Sequence, residues 1–471
     1  MNLEIINRII KAYDIRGLVD DELSVDCAFA LGISFAKFVE AQREPATVIV
    51  GEDMRPSSPD LATAFSDGVT SQGLDVIRIG LSSTDQLYFA SGHLNLPGAM
   101  FTASHNPAAY NGVKLCKSGA KPIGQESGLL WIKNQIIGSL QEGFPIPNRP
   151  VGKETQRDLL PEYVSYLFSL FPKNIFDNNY QGRPLRIAID AGNGMGGHTA
   201  PAVMREINAQ VDGIYFELDG TFPNHEANPI EAKNLVDLQE LVREKSADIG
   251  LAFDGDADRC FLVDEKGNLV SPSALTALIA ERELKKSPGA PVIYNLICSR
   301  AVPEVIIENG GVPLKSRVGH SYIKKMMADH DAVFGGEHSG HFYFKDFWCA
   351  DSGMLAALHA IAALLDTQTP LSELMLKYNT YYLSGEINTQ VSDPLRTIAQ
   401  IREHFSDSDS IGSNEPILFD DLDGLTVSAA DWSFNVRPSN TEPLLRLNVE
   451  ARSEAEMLKL QELVLRLMAN R

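Results

Sequence analysis

Apolar β-branched runs alternate with helical patterns over the first two-thirds of the chain. Each run is short, ends near Gly or Asp, and is apolar enough to form a strand that is covered on both faces. The runs are Thr47 to Val50, Asp75 to Ile79, Gly98 to Phe101, Arg186 to Ile189, Ile214 to Phe216, Asp248 to Phe253 and Pro291 to Tyr294. Strands that alternate with helices in this way predict α/β domains.

The last hundred residues have a different pattern. A polar stretch, Ser406 to Asn414, precedes strands that we predict around Val427 and from Leu445 to Val449. A capping box predicts the start of the final helix. That helix places one apolar stripe where it can dock on a sheet, and the stripe consists of Met457, Leu460, Val464 and Leu467. These features predict a separate C-terminal domain.

The most apolar helical segment, Met354 to Leu365, predicts a buried helix, because it is shorter than the roughly 20 residues of a membrane span. The segment from Met1 to Lys11 lacks the apolar core of a signal peptide. Five scattered cysteines form no C-x-x-C pair, so neither a disulfide framework nor a structural zinc site is indicated. We therefore expect a protein of the reducing cytoplasm that has no membrane partner.

Length and charge narrow the possible functions. At roughly 100 to 200 residues per domain, a chain of 471 residues predicts two to four domains. The 41 Lys and Arg residues stand against 62 Asp and Glu residues, and the resulting net charge of −21 disfavours nucleic acid and anionic lipid as partners. An anionic substrate must therefore meet a local cluster of basic side chains. The sequence leaves the oligomeric state open.

Three alternate aspartates, Asp254, Asp256 and Asp258, follow the apolar run that ends at Phe253. Carboxylates spaced in this way in a tight loop can converge on one hard cation, and without a cation they would repel one another. A solvated acidic turn is the alternative. An EF-hand is rejected, because Arg259 stands where the calcium loop requires Gly. The loop predicts a divalent metal site, and three carboxylates with room for water and a phosphate oxygen suit Mg²⁺.

A second polar loop, Thr102 to Pro107, leaves the strand predicted at Gly98 to Phe101. Ser104 in this loop is a candidate nucleophile, and Lys114 follows closely enough to be its partner for a proton or a charge. The alternative is a serine that only shapes a turn, because the G-x-S-x-G context of a hydrolase elbow is absent.

Two further loops carry groups that suit sugar phosphates. The segment from Arg437 to Pro443 combines a guanidinium with hydroxyl and amide donors, which can bind a phosphate, although an ordinary turn explains it equally well. The segment from Gly335 to His341 either presents Glu337 and Ser339 to sugar hydroxyls or forms a glycine-rich hairpin. His341 and His320 are candidate acid/base groups, because imidazole titrates near neutrality.

Together, five segments resemble the α-D-phosphohexomutase family, in its phosphomannomutase/phosphoglucomutase branch. They are Lys11 to Gly17 and the loops that contain Ser104, Asp254, Glu337 and Arg437, and their order and spacing match from end to end. The resemblance implies an α/β fold, with three related mixed-sheet α/β domains plus a smaller C-terminal α+β domain around a central cleft. We expect these domains at 1–147, 148–262, 263–370 and 371–471. They carry, in that order, the phosphoserine, metal-binding, sugar-binding and phosphate-binding loops.

The resemblance also implies roles for particular residues. Ser104 is expected to carry a phosphoryl group and to bind Mg²⁺ together with Asp254, Asp256 and Asp258. Lys114 and His341 are the expected proton carriers, and Arg16 is expected to support charge. The expected substrate contacts are Tyr13, Arg259, His320, Lys324, Glu337, Ser339, Arg437, Ser439, Asn440 and Thr441.

The activity that the resemblance implies is interconversion of mannose 6-phosphate and mannose 1-phosphate, through phosphoserine and a hexose 1,6-bisphosphate that also serves as activator. Glucose phosphates are expected substrates as well, because mannose and glucose differ only at C2. The expected partners are therefore small-molecule hexose phosphates, and neither nucleic acid nor a membrane is expected as a partner. A metal-dependent sugar-phosphate phosphohydrolase and a phosphoglucosamine mutase are the alternatives.

Some positions depart from the family pattern. Glu52 stands where relatives often have an arginine after the residue that corresponds to Gly51, so we do not expect Glu52 to bind a ligand. We expect Arg55 to brace the active-site loop. Ile297 occupies a region where some relatives have a lysine that faces substrate. Tyr13 to Gly17 and Asn440 differ from the residues of phosphoglucosamine mutases, which argues against an amino sugar.

Overall fold

A computed structural model describes residues 2–10, 14–144, 148–406, 416–438 and 444–469. Within these ranges the chain forms four sheets, each built from a consecutive part of the sequence. The α-helices are α1 (Leu3–Ile9), α2 (Val25–Ala41), α3 (Ser58–Ser71), α4 (Thr84–Leu94), α5 (Leu130–Glu142), α6 (Leu160–Ser169), α7 (Gly196–Met204), α8 (Val236–Lys245), α9 (Pro272–Lys286), α10 (Ala301–Glu308), α11 (His320–His330), α12 (Gly353–Thr367), α13 (Leu371–Leu376), α14 (Pro394–Ser406) and α15 (Glu454–Ala469).

The first sheet has seven strands: β1 (Ile15–Leu18), β2 (Thr47–Glu52), β3 (Asp75–Leu81), β4 (Gly98–Phe101), β5 (Tyr110–Lys117), β6 (Lys121–Pro122) and β7 (Glu154–Gln156). Their order is β1-β5-β4-β2-β3-β7, with β6 paired to β5. The strands β4, β2, β3 and β7 run parallel, whereas β5 pairs antiparallel with β4 and β1. The central strands are apolar on both faces because helices cover both sides of the sheet.

The second and third sheets repeat this arrangement. The second consists of β8 (Leu185–Asp190), β9 (Ala209–Ile214), β10 (Ile249–Phe253), β11 (Cys260–Asp264) and β12 (Leu269–Val270). The third consists of β13 (Pro291–Asn295), β14 (Val312–Ser316), β15 (Phe334–Gly336), β16 (Phe342–Phe344) and β17 (Ala350–Asp351). Their orders, β9-β8-β10-β11-β12 and β14-β13-β15-β16-β17, correspond strand for strand. The first sheet shares this pattern in β3-β2-β4-β5, so three related mixed-sheet domains are confirmed.

The fourth sheet is antiparallel and has a separate core. Its order is β18-β22-β21-β20-β19, from β18 (Tyr382–Gln390), β19 (Leu418–Asp420), β20 (Leu425–Ser428), β21 (Trp432–Pro438) and β22 (Leu444–Ala451). Helices α14 and α15 pack on one face, where Phe405, Phe434, Leu447 and Val464 are buried together. Met457, Leu460 and Val464 of the predicted stripe are buried, and Met468 replaces Leu467 as its fourth buried member. The smaller C-terminal α+β domain is therefore confirmed.

One predicted strand is wrong. We placed a strand at Ile214 to Phe216, but β9 ends at Ile214 and Tyr215 has a left-handed φ of 57°. The true strand lies at the edge of its sheet, where several side chains reach solvent. An edge strand does not need a continuous apolar run, so its sequence signal was weaker than that of the apolar residues just after it.

Two short strands lie beyond the domain boundaries that we predicted at 147 and 262. Strand β7 completes the first sheet from residues 154–156, and β12 completes the second sheet from residues 269–270. The four domain ranges stay predictions.

The predicted buried helix at Met354 to Leu365 is confirmed as part of α12, where all of these residues are buried. Leu358, Ile361 and Leu364 belong to a cluster of apolar side chains that also includes residues of the first two domains, such as Phe89 and Leu251. The first three domains therefore share one core. Among the described residues, no helix combines the length and the apolar character that crossing a membrane requires.

A buried carboxylate joins the first three domains. Asp85, in the first turn of α4, accepts hydrogen bonds from Tyr163 Oη at 2.7 Å and from Ser352 Oγ at 2.6 Å, and Ser83 Oγ donates to its other oxygen. Tyr163 lies on α6, and Ser352 caps α12. Burial raises the pKa of Asp85 to about 6, although the three hydroxyl donors favour its ionised form. The three donors compensate the cost of placing this group away from water.

The variant Tyr163→Phe removes one of these donors without changing the shape of the side chain. Because the hydrogen bond joins a buried hydroxyl to a carboxylate, we expect the free energy of unfolding to fall by about 1.5–3 kcal/mol. The matched control is Tyr215→Phe, which removes an exposed hydroxyl that donates to Asp237 at 2.7 Å. Urea unfolding followed by circular dichroism would measure both variants. Equal losses of unfolding free energy in the two variants would contradict a special contribution from the buried hydrogen bonds to Asp85.

Candidate active site

The three predicted site loops of the α/β domains occupy the same place in three sheets. The loop with Ser104 joins β4 to β5, the loop with Asp254 joins β10 to β11, and the loop with Glu337 joins β15 to β16. In each sheet this loop connects a parallel strand to the antiparallel strand beside it. Carboxyl ends of parallel strands lie at one edge of a sheet, so each domain presents its loop at the edge where such sheets bind ligands.

Ser104 meets the aspartate loop across a domain boundary. Its hydroxyl donates to Oδ2 of Asp254 at 2.8 Å, and its own backbone is left-handed, with φ of 50°. The two loops approach so closely that position 255 requires glycine. A Cβ at Gly255 would lie 2.4 Å from the carbonyl oxygen of Ser104. Ser104 is only 4% exposed, so its hydroxyl is held in one place rather than free in solvent.

The aspartate triad is buried, and its geometry suits a cation. One carboxylate oxygen from each of Asp254, Asp256 and Asp258 lies within 4.8 Å of the other two. All three side chains are almost completely buried. Among the described residues, Oδ1 of Asp256 and Oδ1 of Asp258 have no hydrogen-bond partner. Buried, unpartnered carboxylate oxygens that converge in this way fit a hard divalent cation.

Two basic side chains partly neutralise the triad. Lys114 on β5 donates to Oδ2 of Asp256 at 2.7 Å and to Oδ2 of Asp258 at 2.6 Å. Burial opposes the charge of Lys114, but the two carboxylates outweigh it and hold the pKa of Lys114 well above its ordinary value. Arg259 pairs with Asp254 through Nε at 2.9 Å and lies 3.4 Å from the Ser104 hydroxyl. Lys114 is therefore an ammonium in this state, and it leaves the two Oδ1 atoms available.

Asp254 retains an unfavourable charge in spite of Arg259. Burial, followed by repulsion from Asp258 and Asp256, raises the pKa of Asp254 to about 7, while Arg259 acts in the opposite direction. Two cations thus do not fully compensate three buried carboxylates. A bound divalent cation would supply the missing positive charge.

Arg55 holds the Ser104 loop from below, as we expected from the sequence. Its side chain is fully buried and pairs with Asp53 at 3.3 Å. The guanidinium donates to four backbone carbonyls of the loop: those of Ser104, Asn106, Pro107 and Tyr110, at 2.6–3.0 Å. Neighbouring Glu52 is paired with Arg78 instead of facing the site. The prediction that Arg55 braces this loop is confirmed.

Arg16 on β1 lies beside the same loop. It donates to Asn106 Oδ1 and to Asp14 Oδ2, both at 2.6 Å. A cavity opens here, and the charged and polar residues of its lining include Arg16, Ser104, Lys114, Asp258, His341 and Asp351. The candidate nucleophile, the three residues expected to carry protons or support charge, and one metal-site carboxylate therefore share a single cavity.

The third domain contributes the loop of Glu337. This carboxylate accepts hydrogen bonds from Gly319 N at 3.1 Å and from Tyr343 Oη at 2.8 Å. Ser339 Oγ lies 3.0 Å from Nδ1 of His341, whose Nε2 is 3.7 Å from Oδ1 of Asp258. His341 thus lies between the predicted sugar-binding loop and the triad, which is where an acid/base group for both would be needed.

Other predicted contacts are placed less directly. Lys324 on α11 is buried and forms an ion pair at 2.6 Å with Asp351, which lines the cavity. His320 is the first residue of α11. Arg437 on β21 is 5% exposed and donates to Oε2 of Glu386 at 2.5 Å. Tyr13, Ser439, Asn440 and Thr441 lie outside the described residues.

The structure also brings in residues that we did not predict from the sequence. Thr84 donates to Oδ2 of Asp256 at 2.6 Å, Asp351 lines the cavity, and Glu386 pairs with Arg437. Each of these contacts joins segments far apart in the chain. Only Thr84 lies beside a feature that the sequence reveals, the helix-capping residue Ser83. A helix cap does not indicate a metal site.

Family comparisons cover most of the chain. Four models of the phosphoglucomutase/phosphomannomutase family match in order: alpha/beta/alpha domain I at residues 7–139, domain II at 161–267, domain III at 271–381 and the C-terminal domain at 386–467. These matches correspond to the three related sheets and the fourth, antiparallel sheet.

Curated relatives match along nearly their whole length. A phosphomannomutase of Escherichia coli (strain K12) is 37% identical over 457 residues, which cover 95% of this chain and 96% of the relative. A phosphomannomutase of Vibrio cholerae is 37% identical over 465 residues, with 96% of both chains covered.

Solved structures show the same fold. A phosphoglucomutase/phosphomannomutase family protein from Burkholderia thailandensis superposes with a TM-score of 0.85 at 31% identity, over 99% of this chain and 97% of that one. The open form of a Paramecium phosphoprotein, parafusin, superposes with a TM-score of 0.80 at 15% identity, over 97% of this chain and 94% of that one. The second likeness concerns the fold alone.

The variant Arg55→Met tests how strongly the buried guanidinium holds the Ser104 loop. The change leaves Asp53 as a buried charge without its ion-pair partner and removes the donor from four carbonyls, so we expect the free energy of unfolding to fall by about 3–5 kcal/mol. The control Arg149→Met breaks an exposed pair with Glu40 and should cost less than about 1 kcal/mol. Urea unfolding measures both changes. A loss below about 1 kcal/mol for Arg55→Met would contradict the bracing role.

Proposed function

The chain belongs to the phosphoglucomutase/phosphomannomutase family, and from that premise we propose that it is a phosphomannomutase, an intramolecular phosphotransferase. It interconverts mannose 6-phosphate and mannose 1-phosphate. It also acts on glucose phosphates, because the two sugars differ only at C2, away from the O3 and O4 atoms that we assign to the sugar-binding loop. Its partners are small hexose phosphates. The free cysteines suit a reducing cytoplasm.

One observation carries this proposal: the hydroxyl of Ser104 lies 2.8 Å from a carboxylate of a buried triad that can hold a cation. Phosphoryl transfer depends mainly on positioning and on neutralising charge, so a fixed hydroxyl beside such a site is what the reaction requires. The relatives named as phosphomannomutases support the assignment of the sugar.

The family is metal-dependent, and we propose Mg²⁺ as the ion of this chain. Asp254, Asp256 and Asp258 would hold it together with a phosphoryl oxygen on Ser104. When bound, the ion neutralises negative charge on the phosphoryl group that is transferred. Arg259, which already lies 3.4 Å from the Ser104 hydroxyl, adds a second positive charge on the same group.

The reaction begins with a phosphoryl group on Ser104. A hydroxyl of the hexose monophosphate attacks the phosphorus, the bond between phosphorus and Ser104 Oγ breaks, and a hexose 1,6-bisphosphate results. The hydroxyl proton passes to His341, Lys114 supplies a proton to the departing Ser104 Oγ, and Arg16 stabilises negative charge in the same cavity. In the return transfer these two protons move in the opposite direction. The bisphosphate then turns end for end and returns its other phosphoryl group to Ser104. Added hexose 1,6-bisphosphate acts as an activator because it restores the phosphoserine.

The sugar is fixed at both ends while this occurs. Glu337 and Ser339 bind O3 and O4, and Arg437 holds the phosphate that does not react. We assign the remaining phosphate and sugar contacts as the sequence predicts them, to Tyr13, His320, Lys324, Ser439, Asn440 and Thr441. A second phosphate-binding site, here called the phosphate grip, distinguishes a mutase from a hydrolase, because only a mutase must retain the bisphosphate.

The variant Ser104→Ala removes the group that carries the phosphate. We expect at least about a thousandfold loss of turnover between mannose 6-phosphate and mannose 1-phosphate, in a coupled assay primed with glucose 1,6-bisphosphate. Intact-protein mass spectrometry should find one phosphate on the wild type, mapped to Ser104, and none on the variant. Full activity of an unmodified wild type would overturn the proposal. Release of inorganic phosphate would favour the hydrolase, and faster turnover of glucosamine phosphates would favour the phosphoglucosamine mutase.

Metal removal tests the triad separately. We expect EDTA treatment to abolish turnover and Mg²⁺ to restore it, and we expect Asp256→Asn to raise the Mg²⁺ concentration for half-maximal activity by at least about tenfold. Mg²⁺ should also raise the unfolding temperature of the wild type, because it binds only the folded state, and should do so less in the variant. The exposed Asp237→Asn serves as the control. Undiminished turnover after removal of all divalent ions would sink this assignment.

A further inference from the structure

Two arginines face each other in the C-terminal sheet. Arg437 on β21 lies directly opposite Arg446 on the neighbouring strand β22. Neither side chain belongs to the apolar core that covers the other face of the sheet, and Arg437 is 5% exposed. Like charges at opposite positions of adjacent strands repel one another, so this pair needs an anion nearby to be stable.

Glu386 supplies that anion from the next strand. It lies on β18, which pairs with β22, and its position follows a β-bulge in that pairing. Its Oε2 accepts from Arg437 at 2.5 Å, and its Oε1 lies 3.4 Å from a terminal nitrogen of Arg446. One carboxylate therefore contacts both guanidinium groups, with one oxygen for each.

One carboxylate does not satisfy two guanidinium groups. Within the cluster two positive charges share one carboxylate, and Asp423 adds a weaker attraction on Arg437. Among the described residues, Nη1 of Arg437 and Nε of Arg446 are buried without a hydrogen-bond partner. Buried donors without partners are costly, so the cluster of Arg437, Arg446 and Glu386 retains capacity for a further anion.

We propose that Glu386 is a positioning residue for the phosphate grip: it fixes the guanidinium of Arg437 so that its free donors are ready for the phosphate that does not react. The proposal rests on the proposed function, in which Arg437 holds that phosphate. An arginine fork that is already oriented loses less conformational entropy when the phosphate binds.

The opposite role would leave a different signature. If Glu386 were a competitor that occupied Arg437 in place of the phosphate, then removing its charge would strengthen phosphate binding. If Glu386 positions Arg437, removing its charge weakens binding. The direction of the change therefore decides between the two roles.

The variant Glu386→Gln keeps the shape of the side chain and removes its charge. We expect KM for mannose 1-phosphate and for mannose 6-phosphate to rise about tenfold, because the ion pair that orients Arg437 is lost. We expect kcat to fall less than threefold, because the reacting groups are untouched. The Kd of inorganic phosphate, measured by calorimetry, should rise in parallel. The control Glu462→Gln removes an exposed partner of Arg466 in the same domain and should change none of these values.

A double-variant cycle shows whether Glu386 acts through Arg437. In the background Arg437→Lys, which keeps the charge but loses the planar fork, Glu386→Gln should raise KM less than threefold further. Should Glu386→Gln fail to fold by circular dichroism, Glu386→Asp replaces it. Asp keeps the negative charge, but its side chain is one methylene shorter, so its carboxylate lies farther from Arg437. KM should again rise more than kcat falls.

An unchanged or lowered KM and phosphate Kd in a folded Glu386 variant would overturn the proposal. So would a tenfold rise in KM that persists in the Arg437→Lys background, because Glu386 would then act on something else. Failure of the proposed function looks different: the wild type would turn over no hexose phosphate at all. In that case the phosphate Kd alone still tests whether Glu386 positions Arg437.

Discussion

Three carboxylates that converge inside the protein are the constraint on which the site depends. Asp254, Asp256 and Asp258 are buried within one loop, and such a concentration of charge is unstable unless cations surround it. The compensating groups come from different domains: Lys114 from the first sheet and Arg259 from the loop itself. The need for this compensation ties the loop to the first domain more specifically than apolar packing could.

The repeated topology explains how distant residues reach one place. In each α/β domain one loop connects a parallel strand to the antiparallel strand beside it in the sheet. With a shared core, the three domains are held with those edges together, so Ser104, Asp258 and His341 line one cavity. The buried carboxylate of Asp85 adds a polar link between the same three domains. The C-terminal domain has its own core and contributes a different surface, the polar face of an antiparallel sheet.

The sequence was informative where a residue's role depends on its own loop. Alternate aspartates after an apolar strand and a serine in a polar loop are local patterns, and the structure brings Ser104 within 2.8 Å of Asp254. Contacts between distant segments left no such pattern. Thr84 and Asp256 are 172 residues apart, and nothing near Glu386 indicates that it faces Arg437. The misplaced strand at Ile214 to Phe216 has a related cause, because an edge position in the sheet is a tertiary property that local hydrophobicity does not report.

Charge balance explains how one intermediate could bind in two orientations. At the triad, three carboxylates face Lys114 and Arg259, which leaves one negative charge that a divalent ion converts to one positive charge. In the C-terminal sheet, Arg437 and Arg446 face the single carboxylate of Glu386, and Asp423 attracts Arg437 more weakly. A bisphosphate that must turn end for end needs two grips of similar attraction, because a much stronger grip at one end would hold it there. In the proposed reaction the carboxylate of Glu386 orients the arginines of the distal grip, and the net charge of −21 on the whole chain disfavours phosphate binding outside the cleft.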